Sequence, residues 1–173
     1  EYTRRLLRSI VEQEHRPIEI VLSDDVSPRS LAPLAEEFPS FADDLCTLRF
    51  FRQERRLGVM GNSLFTLEQS RGRWVMPFAH DNRLTDRRFL AEAVARMEED
   101  PDCHLCLANG VLEGSGRKTL RLPEELDDRW ETMPGDRFIR RWLTLRGDGM
   151  GWTQAVLLDH RLARELGAFH RPY

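Results

Sequence analysis

Ile18-Glu19-Ile20-Val21-Leu22-Ser23 is a short run, β-branched and almost wholly apolar, and it ends abruptly in Asp24-Asp25-Val26-Ser27-Pro28. A run this short reads as a strand rather than a helix, and apolar side chains on both faces suit a strand buried on both sides, as parallel sheets use. The segment before it, residues 2–14, has Leu6, Leu7, Ile10 and Val11 on one helical face and Arg4, Arg5, Arg8, Glu12 and Glu14 elsewhere. Pro17 ends that helix. A parallel strand framed by helices confines the chain to an α/β architecture.

The rest of the first 109 residues keeps the rhythm. Ser30 can cap a helix carrying Leu31, Leu34 and Phe38, stopped by Pro39. Leu45 to Arg52 reads as a second strand, Gln53 to Gly61 as a polar loop, and Asn62 to Ser70 as a helix with Leu64, Phe65 and Leu67 inward. Arg73 to Ala79 reads as a third strand, weakened by Pro77. Asp86 can cap a helix to about Asp100, Cys103 to Ala108 is a fourth strand, and Asn109-Gly110 is a hairpin signal leading to Val111-Leu112-Glu113. Short connections between alternating helices and strands imply parallel strands joined by right-handed crossovers. Residues 114–133 carry few signals and read as an excursion; 135–145 is helical in pattern, Gly147, Gly149 and Gly151 form a flexible connection, 153–158 a strand, and 159–166 a short helix closed by Gly167.

Composition narrows the function classes. Lys plus Arg number 26 and Asp plus Glu 29, a net charge of −3 with mixed signs, which argues against a general nucleic-acid binder. No apolar run approaches the roughly 20 residues a membrane-spanning helix needs. Three cysteines are too few for a disulfide scaffold and point to a reducing, cytoplasmic compartment.

In an open α/β sheet, ligands bind beyond the carboxyl ends of the strands. Two polar clusters fall there: Asp24 and Asp25 after the first strand, and His80, Asp81 and Asn82 after the third. A carboxylate in such a crevice can accept N–H groups of a base or ribose hydroxyls, or hold a divalent cation that bridges phosphates. One Asp-Asp pair alone would read as a turn and helix cap; two clusters at predicted strand ends favour a site. Between them, Arg52 to Asn62 offers three arginines and two glycines before a helix, a setting that can neutralise a diphosphate or simply be a solvated loop. Cys103-His104-Leu105-Cys106 has metal-like spacing but reads better as buried strand cysteines. Trp152 follows the Gly-rich loop and could stack on a sugar, with core packing the stronger reading.

These residues carry a resemblance. Tyr2 to Ser27 resembles the "LxxxLxSILxQ" helix and "IEIIVSDDGS" strand and loop of family 2 glycosyltransferases. Arg56 to Asn62 resembles their "NxGxxxNxN" loop, Glu68 to Val75 their "ALxxARGxYI", Phe78 to Leu84 their "FLHDDDxL", and Gly151 to His170 their "GxxxLFRREALEELGGFD". The motifs fall in family order over 2–112 and 135–170. The resemblance implies a GT-A-like (Rossmann-like), mostly parallel sheet flanked by helices in three α/β/α layers. It implies one domain over 1–173, with 1–112 the nucleotide-sugar half and 113–173 the acceptor side.

It also implies transfer of a sugar from a nucleotide-diphosphate donor to a carbohydrate, lipid-linked or protein acceptor, with inversion, in glycan or polysaccharide synthesis. Asp24, Asp25, Arg55, Arg56, Asn62 and Asp81 then fall on donor-binding positions, and Asp81, Asn82 and His80 on the metal positions, where Mg²⁺ or Mn²⁺ is expected. Asn82 stands where a carboxylate is usual, which should lower metal affinity. The family's "VSVIIPTYN" strand would precede Glu1 and its catalytic "ED" base would follow Tyr173, so the chain reads as incomplete at both ends; Asp148 and Asp159 do not match the base. Peripheral association with the cytoplasmic membrane face is compatible with this reading. The alternatives are a non-catalytic nucleotide- or carbohydrate-binding relative and a nucleotidyltransferase.

Overall fold

The computed structural model describes residues 1–108, 112–114, 117–120, 130–144 and 156–167. It opens with α1 (Tyr2–Val11), whose Leu6, Leu7 and Ile10 are buried as the helical pattern requires. The helix stops before Pro17, and its end is closed by Arg16, whose guanidinium donates to the carbonyls of Val11 (2.7 Å), Gln13 (2.6 Å) and His15 (2.7 Å).

Strand β1 (Ile18–Asp24) pairs in parallel with β2 (Cys46–Arg52), from Ile18 opposite Cys46 to Asp24 opposite Arg52. Between them run α2 (Ala32–Glu37) and a 3₁₀ turn over Phe38–Ser40. Leu31, not Ser30, stands at the cap position of α2; Ser30, one residue earlier, accepts the Ala32 N–H at 3.2 Å. Pro39 sits inside the 3₁₀ turn, where its missing N–H costs nothing. Leu34, Phe38, Ile20 and Cys46 join the α1 residues in one core, with Phe78 and Leu84 packed against it.

Helix α3 (Gly58–Gln69) starts four residues earlier than the glycine-rich sequence predicts. Its far end is fixed to the parallel pair. Arg49 on β2 donates to the Gln69 carbonyl (2.7 Å) and to Glu19 on β1 (3.0 Å), while Glu19 accepts the Arg71 N–H (2.9 Å).

Strand β3 is only Trp74–Val75, shorter than the 73–79 expected; Pro77 and the turn at 79–82 end it. It pairs antiparallel with β7 (Val156–Asp159), which also neighbours β4 (Leu105–Leu107) in the order β3-β7-β4. The described parallel pairing is therefore concentrated in β1 and β2. Helix α4 (Phe89–Glu99) lays Ala93, Val94 and Met97 on Cys106 and Leu157, a second core. Helix α6 (His160–Glu165) follows β7 directly.

The chain divides into two compact units, Glu1–Cys106 with Leu157–Tyr173, and Leu107–Val156. In the second, β5 (Leu112–Gly114) and β6 (Arg117–Leu120) form an antiparallel pair, so the stretch read as irregular from 114 contains a strand. Helix α5 (Gly135–Thr144) matches its predicted span. The Asn109-Gly110 turn, Gly147, Gly149, Gly151, Asp148, Trp152, His170 and the residues 153–155 lie outside the described residues. Among the described residues, no helix is long and apolar enough to cross a membrane.

Asp86 turns its carboxylate to the Arg88 N–H (2.9 Å), but the deeper cap of α4 comes from Gln13, just past the end of α1. Gln13, 3% exposed, accepts the Leu90 N–H (3.1 Å) and donates to the Asp86 carbonyl (2.7 Å). Gln13→Ala should cost about 1–3 kcal/mol, because it leaves a buried donor and acceptor unmet; urea unfolding measures it.

Candidate functional site

At the carboxyl ends of β1 and β2, direct hydrogen bonds join Ser23 to Asn62 of α3 and to Gln53, and Asp24 to Arg52 and Gln53, with Asp25 next in the chain. Asp24 is 1% exposed. One carboxylate oxygen accepts the Ser27 N–H (2.8 Å); the other accepts the Leu31 N–H (3.1 Å) and the Arg52 guanidinium. Burial pushes this carboxyl up, but the N–H groups of Ser27 and Leu31, the Ser27 hydroxyl and Arg52 outweigh it, and the balance lies below the ordinary carboxylate value.

Asp25 faces the other way. Its two oxygens accept the N–H groups of Leu57 (2.6 Å) and Gly58 (3.0 Å), so it caps α3 from a distant loop. This explains the early start of α3. Gly58, at φ +74, lets the chain turn into the helix under that carboxylate.

Behind the aspartates, the Ser23 hydroxyl donates to Asn62 Oδ1 (2.6 Å) and accepts from Gln53 Nε2 (2.9 Å). Arg55 and Arg56 are exposed on the segment between β2 and α3, and Val59 on the first turn of α3 is 84% exposed.

Val26 has φ 57, a left-handed conformation that is an outlier for a β-branched residue. The family pattern has glycine at this position, which adopts it without strain. The strain sits in the loop that Asp24 holds by its Ser27 and Leu31 bonds.

The second cluster is a turn. The Asn82 N–H donates to the Ala79 carbonyl (3.1 Å), and Asn82 Oδ1 accepts the Ala79 N–H (3.0 Å). Asn82 thus closes the turn and leaves Asp81 exposed at its tip. The His80 ring meets Tyr2 edge-on, with centroids 6.4 Å apart. Phe78 and Leu84 bind the two flanks of this turn to the core under β1.

Among the described residues, no three His, Cys, Asp or Glu side chains gather to hold a metal ion. The turn offers one uncommitted carboxylate, Asp81. That set fits a divalent cation taking most of its ligands from phosphate and water, the usual manner of Mg²⁺. Cys106, within the metal-like spacing, is buried, and burial pushes its thiol up to about 11, as for a core cysteine.

Three contributors escape the sequence reading. Arg52 is the counter-ion of Asp24; aligning the two strands from their starts, Ile18 with Cys46, places Asp24 opposite Arg52. Tyr2 reaches the His80 turn from the start of α1. His160, 8% exposed, faces the carbonyls of Gly72 (Nδ1, 2.9 Å) and Leu67 (Nε2, 3.0 Å), and so ties α6 to the end of α3.

Asp24→Asn should lower stability by about 2 kcal/mol at neutral pH, since it weakens charge-assisted bonds to buried donors. The wild-type carboxyl titrates below its unfolded value, so its contribution is present above roughly pH 4 and lost as pH falls through the folded value. Acid melts should therefore fall more steeply for the wild type than for Asp24→Asn. Val26→Gly should raise stability by about 1 kcal/mol, the relief of backbone strain exceeding the added chain entropy; denaturant midpoints test both.

The description "Glycosyl transferase family 2" matches residues 1–159. An uncharacterized protein of Mycobacterium tuberculosis, MT1568, is 30% identical over 173 residues, covering 95% of this chain and 51% of that protein. The fold is similar to S. aureus TarS 1–349, with a TM-score of 0.67 at 18% identity over 96% of this chain and 45% of that one. A second TarS structure gives 0.64 at 18% identity, over 95% of this chain and 27% of that one. The chain spans about half the length of the curated relative it matches. With a GT-A-like α/β fold and the family match over 1–159, the chain belongs to the family 2 glycosyltransferases.

Proposed function

We propose that this chain binds a nucleotide-diphosphate sugar and transfers the sugar, with inversion, to an acceptor hydroxyl. The observation that carries the reading is that Asp24, Asp25 and Asn62 are each held by hydrogen bonds at the carboxyl ends of β1 and β2, in a chain of this family. The partly exposed Asp25 carboxylate and Asn62 amide there suit a base and a ribose. The bonds of Asp24 hold the β1–α2 loop in shape, so the loop's remaining groups meet the nucleoside pre-positioned.

Arg55 and Arg56, on the exposed rim between β2 and α3, would face the diphosphate and offset the charge that grows as it departs. Asp81 would hold Mg²⁺ or Mn²⁺, which supplies further charge neutralisation to the leaving group. A single carboxylate holds a cation weakly by itself, so cation and diphosphate should bind together. His80 and Asn82 act there by shaping the turn. The acceptor is a carbohydrate, lipid-linked or protein hydroxyl, in glycan or polysaccharide synthesis. The free cysteines are in keeping with work in the cytoplasm, including its membrane face.

Calorimetric titration of the chain with nucleoside diphosphates, with and without Mn²⁺, tests this. Asp81→Ala should remove the Mn²⁺-dependent gain, by tenfold or more, and leave the metal-free affinity little changed. Equal titrations for both proteins would overturn the metal assignment. Release of pyrophosphate rather than nucleoside diphosphate during turnover would favour nucleotidyl transfer instead.

A further inference from the structure

A cleft of about 580 Å³ opens at the other end of β3. It is lined by Arg73, just before β3, by His104, just before β4, and by Asp159, Arg161, Arg164 and Glu165 at the end of β7 and on α6. His80, Asp81 and Asn82 follow β3 while Arg73 precedes it, so the cleft is separate from the strand-end cluster. The pairing builds it: the Asp159 N–H donates to the His104 carbonyl (2.9 Å) and the His160 N–H to the Arg73 carbonyl (2.9 Å). The starts of β3 and β4 are therefore held either side of the β7–α6 junction.

The charges in this cleft are unequally committed. Asp159 is spent within the protein: one oxygen accepts the Leu162 N–H (3.0 Å) and the other faces His104 Nδ1 (3.4 Å). The Leu162 N–H, working against burial and with His104 and Arg161, holds its carboxyl below the usual range. Glu165 pairs with Arg161 (3.0 Å). Each guanidinium carries five N–H donors; Arg161 uses one on Glu165, and Arg73, stacked over the Trp74 ring with 4.6 Å to its centroid, meets the exposed Glu98 at 3.6 Å. Arg164 has no ion pair among the described residues. Three guanidiniums and a histidine against two carboxylates leave the cleft with an excess of donors.

We propose that this cleft is a second binding site, for a small phosphate ester. Three guanidiniums and a histidine suit a phosphate dianion, which takes bidentate N–H bonds. The volume lies within the range of small-molecule pockets and leaves room for an organic group beside the phosphate. The inference stands on the cleft alone and does not rest on the glycosyl-transfer reading.

Titration of the chain with inorganic phosphate and with glucose 1-phosphate, followed by calorimetry, tests it. The ester should bind at least tenfold more tightly than phosphate. Arg164→Glu, at an exposed position that folding does not need, should weaken ester binding at least tenfold, and Arg164→Lys should retain part of it. Asp81→Ala should leave it unchanged. No heat with the ester at 20 mM, equal affinity in Arg164→Glu, or displacement of the ester by a nucleoside diphosphate would overturn the proposal.

Discussion

A full negative charge sits on Asp24 at the end of β1, almost without solvent, and the upper half of the fold is arranged around it. An ionised carboxylate in such a place is tolerated only with donors on its oxygens. The donors come from the following loop, at Ser27 and Leu31, and from Arg52 on the neighbouring strand. Satisfying that charge therefore folds the β1–α2 connection back over the strand end and ties it to β2. The Gln53 N–H adds a bond to the Asp24 carbonyl (3.0 Å), so backbone and side chain of one residue hold both strands.

Adjacent aspartates divide the work because their side chains leave the end of the strand in opposite directions. Asp24 turns inward to its loop. Asp25 turns toward α3 and meets the N–H groups that a helix start leaves unpaired. Helix α3 is then fixed at both ends, by Asp25 at its start and by Arg49 and His160 near its end. The segment that links β2 to α3 is held at its two ends, by Gln53 and Leu57, and Arg55 and Arg56 stand between them. A loop tethered at both ends to rigid elements, with its arginines unburied, can adjust to a ligand without disturbing the core.

The parts of this arrangement legible in the sequence are those whose signals are local. The apolar periodicity of α1, the buried run of β1 and the aspartates after it all lie within 25 consecutive residues. The start of α3 was not legible, because Gly58 and Gly61 signal a loop and the cap arrives from 33 residues away. The same holds for Gln13, whose partners are backbone groups of Asp86 and Leu90, and for His160, whose partners are two carbonyls. Backbone groups leave no trace in composition, so a side chain that bonds only to them looks unpartnered. The antiparallel joining of β3 to β7 was hidden for a related reason: two paired residues do not make a period.

The site at the strand ends and the cleft at the start of β3 follow from one topological fact. A parallel pair places its free carboxyl ends, and the loops that follow them, on one side. The antiparallel β3–β7 pairing reverses that sense, bringing the end of β7 beside the start of β3. Asp159 and the arginines of α6 are thereby delivered to the side away from the His80–Asn82 turn. Had β7 run parallel to β3, Asp159 would have lain on the side of the His80–Asn82 turn as another carboxylate. The strand's direction accordingly decides that Asp159 serves α6 and His104, and leaves Asp81 as the acid of the turn.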